Sequence, residues 1–363
     1  MHDQLVISPV GASAQYSVLG RGVDSDDPIR GAGTQRESDA VLIDGCGRRI
    51  DHLRLSVTSA CNLRCLYCRP KGIGDATSHG RDLDDKQRLE LVHFLYESYH
   101  LRQLRLTGGE PLLHPSITSL IADVRRIAPD MDLAMTTNGG RLADLAGPLR
   151  CAGLDRVNIS LDTLDPVQYH NLTGGELAPV LDGIKKCIAV GFPSPRINTV
   201  VLAGINDQHL IELTEWSLQQ GTEIRFLEAM PIGPAANYNR DRFVDAATIR
   251  KALARRIMLT PLPRNHGETA MRYLAVRGTS RGIVGIIAPV TERFCGQCRR
   301  MRITADGRLF PCLLDERSVE LLPAWGQGRL SPASLDRLIQ SAVDAKKWQG
   351  PALQRTAMVQ LGG

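Results

Sequence analysis

Two groups of three cysteines are the residues of this sequence best suited to metal chemistry. The first triad is Cys61, Cys65 and Cys68, with the spacing C-x3-C-x2-C, and the second triad is Cys295, Cys298 and Cys312, with the spacing C-x2-C-x13-C. Three thiolates can hold three irons of a [4Fe–4S] cluster and leave the fourth iron open to a substrate or cofactor. Cysteines at short spacing are also typical of zinc sites, which usually have four ligands. Spacing alone leaves both metals open.

The first triad directly follows an alternating apolar segment, residues 53–58, that predicts a β-strand. From Asp51 to Ala229 a strand pattern and a helix pattern alternate six times, with short connections. Such repeats predict a parallel sheet with right-handed crossovers, either open and doubly wound or curved into a barrel. Polar or Gly-rich residues follow nearly every predicted strand. This placement favours an α/β barrel with its site at one mouth.

Local signals mark particular elements and boundaries. Asp84 is expected to cap a helix that runs to about Tyr99, and Asn206 or Asp207 to cap the helix before the last barrel strand. Beyond residue 230 the regular alternation of strand and helix patterns ends. In this part, Asp306-Gly307 predicts the turn of a hairpin. The expected divisions are a disordered N-terminal extension (1–44), the barrel (45–230), a second-triad and substrate region (231–325), and a C-terminal helix with a Gly-Gly tail (326–363).

The composition narrows the class of protein. The chain has 363 residues, 43% of them hydrophobic, so it can form one large domain or two ordinary ones. A formal net charge of +5 favours an anionic ligand but is too weak to indicate a nucleic acid partner. Six of the nine cysteines fall in the two triads, which favours a metalloprotein in a reducing compartment. With no membrane-length apolar run or signal-peptide pattern, we expect a cytoplasmic protein without a membrane partner.

The first triad, with the aromatic Tyr67 before its last cysteine, resembles the signature of the radical S-adenosylmethionine (SAM) superfamily. More specifically, the stretch from Leu53 to Cys68 resembles the GTP 3′,8-cyclases of molybdenum cofactor biosynthesis, and the likeness extends over residues 46–363. The resemblance implies a partial (β/α)6 TIM-type barrel with a C-terminal β-containing extension. It further implies two [4Fe–4S] clusters and SAM as cofactors, with the second cluster carried by that extension.

The resemblance implies a lyase reaction on GTP, the first step of molybdopterin synthesis. The open iron of the first cluster would bind SAM, and that of the second would contact guanine. A deoxyadenosyl radical would take the hydrogen from C3′, and the carbon radical would add to C8, giving (8S)-3′,8-cyclo-7,8-dihydroguanosine 5′-triphosphate. The implied partners are a one-electron reductant and a downstream cyclic pyranopterin monophosphate synthase. The sequence leaves a homodimer open.

The resemblance also assigns roles to residues. Arginine suits a triphosphate because its planar guanidinium donates two hydrogen bonds to phosphate. Arg300 and Arg302 alternate along a predicted strand beside Cys298, so their side chains share one face. The implied SAM contacts are Tyr67, Gly109, Ser160 and Met230. The implied GTP contacts are Arg54, Arg105, Thr136, Arg196, Arg300 and Arg302. The implied catalytic set is the first triad with Arg300, Arg302, Gly362 and Gly363.

The sequence is also compatible with three other interpretations. A radical SAM peptide-modifying enzyme would also carry C-terminal clusters, although a peptide would not require the Arg300 and Arg302 pair. A paralogue with a shifted nucleotide substrate is a second alternative. A zinc-stabilised nucleic-acid-binding protein is the non-enzyme alternative, which the weak net charge disfavours. The chain departs from the family pattern at Arg69, Gln103, Arg299 and the tail, which lacks the common His before Met358.

Overall fold

The computed structural model describes residues 40–69, 81–264 and 267–348. The predicted N-terminal extension therefore lies outside the described residues up to residue 39, as do Gly362 and Gly363 of the predicted tail. Near the end of that extension, Leu42 and Asp44 are buried. In the described ranges, no helix combines the length and the apolar character needed to cross a membrane.

Strands and helices alternate through the first part of the chain, as the sequence predicts. The first six strands are β1 His52–Ser56, β2 Gln103–Thr107, β3 Asp132–Thr137, β4 Arg156–Ser160, β5 Arg196–Val201 and β6 Glu223–Glu228. The helices between them are α1 Asp85–Tyr99, α2 Ile117–Ile127, α3 Leu142–Cys151, α4 Pro166–Thr173, α5 Leu177–Ala189 and α6 Leu210–Gln219.

The rest of the described chain mixes short helices with strands. Its helices are α7 Ala236–Asp241, α8 Ala246–Ala254 and α9 Pro332–Asp344. Its strands are β7 Met258–Pro261, β8 Met271–Arg277, β9 Ser280–Ile287, β10 Arg300–Ile303, β11 Arg308–Phe310 and β12 Val319–Glu320.

The strands of the described residues form one sheet, ordered β12-β11-β10-β1-β2-β3-β4-β5-β6-β9-β8-β7. Strands β1 to β6 are parallel neighbours in sequence order, and β10 and β9 continue them in parallel on either side. The outer strands pair antiparallel. The predicted partial (β/α)6 barrel with a C-terminal β-containing extension is therefore confirmed.

Alternation along the strands separates the core from the barrel interior. On β1, Leu53 and Leu55 are 1% exposed and belong to the main core cluster. Full burial of one such side chain stabilises the fold by about 1.5–3 kcal/mol. Because successive side chains point to opposite faces, Arg54 is directed to the other face, toward the barrel interior. The same alternation on β2 turns Arg105 inward between buried Leu104 and Leu106.

Several local predictions are confirmed and one is wrong. Asp84 caps α1 through a capping box with Gln87, and Gly307 takes the positive φ of 80° that the hairpin turn between β10 and β11 requires. The helix before β6 begins after His209 and is capped by neither Asn206 nor Asp207. Asn206 is fully buried and instead bonds the backbone of Asp162, Val200 and Leu202. Buried carbonyl and amide groups need hydrogen-bond partners, and Asn206 supplies them here. This use of the side chain takes the place of capping the helix.

Candidate functional site

Both cysteine triads line one cavity of about 340 Å³. The cavity opens at the carboxyl ends of the barrel strands, where Thr107, Thr137 and Ser160 end β2, β3 and β4. Most of the site residues expected from the sequence also line it: Arg54, Tyr67, Arg105, Gly109, Thr136, Ser160, Met230, Arg300 and Arg302. The two triads thus share one cavity with Arg54, Arg105, Arg300 and Arg302.

One expected residue stands apart from this cavity, and two others cannot be placed relative to it because they lie outside the described residues. Arg196 begins β5 and does not line it; its Nε lies 3.4 Å from Oε2 of Glu223. Gly362 and Gly363 lie outside the described residues. A GTP contact by Arg196 and a catalytic role of the tail therefore stay predictions.

The first triad sits on a loop that is held from several sides. The backbone amides of Arg64 and Leu66 donate to the carbonyls of Thr173 and Leu172 at the end of α4. The hydroxyl of Tyr67 donates to the carboxylate of buried Asp162 at 2.8 Å. These bonds fix the loop against β4 and α4, so the three thiols face the cavity in a set orientation.

Gly108 and Gly109 support the same loop by close backbone contact. The amide of Gly109 donates to the carbonyl of Thr58, and the amide of Glu110 donates to that of Ala60, each at 2.8 Å. A Cβ at position 109 would lie 2.2 Å from the Ala60 carbonyl oxygen, where no side chain fits. The glycine is therefore required by the approach of the segment that leads into Cys61.

The second triad is assembled by the hairpin of β10 and β11. Cys295 and Cys298 lie just before β10, and Cys312 follows β11, so the turn returns the chain to the same place. A guanidinium nitrogen of Arg300 lies 3.6 Å from the Cys298 sulfur, and its carbon lies 4.9 Å from the centre of the Phe294 ring. Arg300 is thus fixed between a thiol and an aromatic face.

Three inward arginines form a row across adjacent parallel strands. Arg54 on β1 is the register partner of Arg302 on β10 and of Arg105 on β2. Burial lowers the pKa of Arg54, and the neighbouring charges of Arg302 and Arg300 lower it further. Burial, with Arg300 adding to it, lowers the pKa of Arg302 to about 9. Because guanidinium groups stay protonated in proteins, these shifts indicate crowded positive charge that a bound anion would relieve.

The thiols of the two triads lie in different electrostatic surroundings. Burial raises the pKa of the Cys65 thiol well above its usual value, and nearby Asp162 raises it further. Burial also acts to raise the pKa of Cys298, but Arg300 and Lys346 outweigh it and lower that pKa to about 6. The cations beside Cys298 thus favour its thiolate form, the form that binds metal.

The donor chemistry of each triad fits an iron–sulfur cluster. All six cysteines are free thiols, partly buried, and they line one cavity. Within the described ranges, no three His, Cys, Asp or Glu side chains come close enough together to hold a metal ion. A [4Fe–4S] cluster does not need that convergence, since each cysteine binds a different iron.

Further residues line the cavity that the sequence did not single out. Arg225 on β6 lies between Ile224 and Phe226, which are fully buried, and this alternation is a signal that could have identified it. Asn239 on α7 is 4% exposed and donates to the carbonyls of Tyr67 (3.0 Å) and Met230 (2.8 Å). No spacing in the sequence indicates that contact, because it joins segments far apart along the chain.

Three of the departures from the family pattern lie at different places in the structure, and the altered tail before Met358 lies outside the described residues. Arg69 lines the cavity beside the first triad. Gln103 instead donates to the carboxylate of Asp132 at 2.6 Å, and Arg299 bonds buried Asp51. Gln103 and Arg299 therefore act in side-chain pairs that lie away from the cavity lining.

Two family models together match most of the described chain. The model of the radical SAM superfamily matches residues 55–217, and the model described as Molybdenum Cofactor Synthesis C matches residues 222–351. The first match contains the first triad, and the second contains the second triad.

Curated relatives named GTP 3′,8-cyclase are similar over most of their length. The relative from Paenarthrobacter nicotinovorans is 39% identical over 319 residues, which are 85% of this chain and 87% of the relative. The relative from Heliobacterium modesticaldum is 36% identical over 330 residues, which are 89% of this chain and 100% of the relative.

A solved structure supports the fold. Streptococcus suis SuiB bound to S-adenosylmethionine matches with a TM-score of 0.56, covering 86% of this chain and 77% of that one. The two are 14% identical, so the likeness concerns the fold and not the substrate.

Proposed function

The chain belongs to the GTP 3′,8-cyclase family, radical SAM enzymes of molybdenum cofactor biosynthesis, and we propose that it converts GTP to the 3′,8-cyclised dihydroguanosine triphosphate. One observation carries the residue-level proposal: both cysteine triads line a single cavity, with a row of inward arginines beside them. A nucleotide in that cavity would have a cluster on either side and cations along the barrel wall.

The first triad would hold the cluster that binds SAM. When bound, that cluster and SAM supply the carbon-centred radical that takes a hydrogen atom from the substrate. Tyr67, Gly109, Ser160 and Met230 line the same cavity as the first triad and would orient SAM. Tyr67 is held by Asp162, and Met230 by Asn239, so both are fixed before SAM arrives. Preorganised contacts of this kind spare the cost of ordering at binding.

The second triad would hold the cluster that meets the guanine ring. Arg300 and Arg302 extend from the same strand toward the cavity, and Arg54 and Arg105 continue the positive surface. These arginines would bind the triphosphate and hold the ribose near the radical source, and Thr136 would add a hydroxyl contact. Holding the reacting atoms close together replaces an encounter in solution by a reaction within the complex.

The remaining expectations belong to the same proposal. A one-electron reductant would supply the first cluster, and a cyclic pyranopterin monophosphate synthase would take the product. The cytoplasm would keep the six cluster thiols reduced. Arg196 and the Gly362-Gly363 tail would join the site in the substrate-bound enzyme.

An anaerobic turnover assay tests the function. The protein is incubated with SAM, dithionite and GTP, and the products are analysed for 5′-deoxyadenosine and a cyclised guanosine triphosphate. Both products are expected together. Deoxyadenosine without a cyclised nucleotide would contradict the cyclase proposal while leaving radical SAM chemistry intact.

A binding assay tests the substrate site separately. The double variant Arg300→Ala/Arg302→Ala is expected to keep both clusters, about eight irons per chain, and to lose GTP binding. Unchanged GTP affinity with both clusters intact would show that these arginines do not bind the nucleotide.

A further inference from the structure

A buried lysine that does not line the cavity contacts Cys298 of the second triad. Lys346, just past the end of α9, is 3% exposed. Its Nζ lies 3.7 Å from the sulfur of Cys298 and donates to the carbonyl of Arg300. Lys346 is absent from the residues that line the cavity. It therefore does not share the cavity surface on which SAM and GTP would bind.

The segment that carries Lys346 is held by a short N-terminal hairpin. In this hairpin, residues 42–50, a bridge joins Ile43 to Arg49, and the amide of Ile50 donates to the carbonyl of Leu42. The thiol of Cys46 lies 3.4 Å from the carbonyl oxygen of Lys346. A Cβ at Gly45 would lie 2.6 Å from the carbonyl oxygen of Asp344, so the hairpin packs directly on the end of α9.

Arg48 of the hairpin joins this segment to the second triad. Its guanidinium donates to the carbonyl of Cys295 at 2.7 Å and to the carbonyls of Lys347 and Trp348 at 2.9 and 3.1 Å. Its Nε is paired with the carboxylate of buried Asp44 at 2.7 Å. One side chain, 7% exposed, therefore holds a ligand of the second triad and the residues that follow Lys346.

We propose that Lys346 is a positioning residue of the second iron–sulfur site, held by the hairpin of residues 42–50, and that it sets the reduction potential of that cluster. The inference rests on the proposed function, since it requires the second triad to hold a cluster. Hydrogen bonds to ligand sulfurs and positive charge near a cluster raise its reduction potential, because both stabilise the added electron. The bond to the Arg300 carbonyl also fixes the strand that carries the GTP-facing arginines.

The test is a potentiometric titration of the reconstituted holoenzyme, followed by electron paramagnetic resonance. Lys346→Met removes the charge and the donor while keeping a side chain of similar length. Lys347→Met is the matched control, because Lys347 is exposed. Signals of the second site are assigned with a variant whose first triad is replaced by serines, Cys61→Ser/Cys65→Ser/Cys68→Ser.

We expect the second-site potential of Lys346→Met to shift to a more negative value, with the first-site potential and iron content unchanged. Lys347→Met should match the wild type. Lys346→Gln, which keeps an N–H donor without the charge, should shift less, and it decides the test if Lys346→Met does not fold. Arg48→Met should shift the same potential in the same direction, because it releases the segment.

Equal second-site potentials in the wild type and in both Lys346 variants would overturn the inference. So would a shift of the same size at both sites, or one reproduced by Lys347→Met. If wild-type protein carries a cluster at the first triad and none at the second, the proposed function fails instead. The two failures are therefore distinguishable by the iron content and the spectrum of the wild type.

Discussion

Arg54 and Arg302 are register partners on two adjacent parallel strands, β1 and β10, and both line the cavity between the cysteine triads. Neighbouring like charges in a sheet are destabilising. Arg105 on β2 lies on the other side of Arg54, which therefore has a cation in register on each side. Burial and the neighbouring arginines lower the pKa of Arg54 accordingly. Such an arrangement favours binding of an anion over stability of the empty protein.

Arg54→Met is therefore expected to separate stability from binding. Without ligand, the variant should unfold at the same or a higher temperature than the wild type, because it removes the repulsion of Arg54 with Arg302 and with Arg105. Its affinity for GTP should fall by at least about tenfold, or ~1.4 kcal/mol. Thermal unfolding with and without GTP measures both, since a ligand stabilises the state that binds it.

Arg156→Met provides the control for that experiment. Arg156 also lies on a barrel strand, but its Nε is paired with Asp132 at 2.9 Å and it does not line the cavity. This variant should lose up to about 1 kcal/mol of stability and keep its GTP affinity. A destabilised Arg54→Met protein with normal GTP affinity would contradict the anion-binding role of the row.

Gly109→Ala is expected to release the first cluster. The added methyl would meet the Ala60 carbonyl at 2.2 Å, so the segment leading to Cys61 must move. The iron content should fall from about eight to about four per chain, and cleavage of SAM should be lost. Gly147→Ala, at a helical position with open space around it, should instead keep all the iron and stabilise α3 by up to about 1 kcal/mol. Full iron content in Gly109→Ala would disprove the steric argument.

The cysteine loops and the alternating barrel were predictable because they depend on local spacing. Residues 53–58 read as a strand from their own alternation, and Asp306-Gly307 marked its turn by residue type. The contacts of Asn206, Asn239 and Lys346 were not predictable in this way. The contacts of Asn239 and Lys346 join positions that are distant along the chain. Those of Asn206 depend on which backbone groups become buried. A single sequence carries no local signal for either kind of contact. That Arg54, Arg105 and Arg302 would contact one ligand was implied only by the family resemblance. Their alignment in register across three strands is a property of the folded sheet and is not visible in the sequence.

His52 is expected to make stability depend on pH. Burial, with Arg299 and Arg300 adding to it, outweighs the attraction of Asp51 and lowers the pKa of His52 to about 4. The unfolded chain, with a pKa of about 6.5, then binds more protons than the folded one between these values. The free energy of unfolding is therefore not reduced by His52 above about pH 6.5. It falls as the pH drops from 6.5 toward 4, by on the order of 1–3 kcal/mol.

His52→Gln should therefore lose less stability than the wild type between pH 7.5 and 5. Denaturant midpoints measured anaerobically at fixed pH values give the comparison. His93→Gln is the control because His93 is exposed; its pH dependence should follow the wild type. Parallel curves for His52→Gln and the wild type would show that folding leaves the pKa of His52 unchanged.

Asn239 is expected to determine how tightly SAM binds. Its side-chain amide donates to the carbonyls of Tyr67 and Met230, two residues that face the proposed SAM site from different segments. Asn239→Ala removes both bonds, each worth about 1 kcal/mol, and leaves two carbonyls without that donor. We expect the KM for SAM to rise by about tenfold or more, with a smaller change in kcat, because the contacts orient SAM and not the reacting atoms of GTP. Asn237→Ala, at an exposed position on the same helix, should leave both constants unchanged. A normal KM for SAM in Asn239→Ala, with both clusters present, would mean that Met230 and Tyr67 hold their positions without this amide.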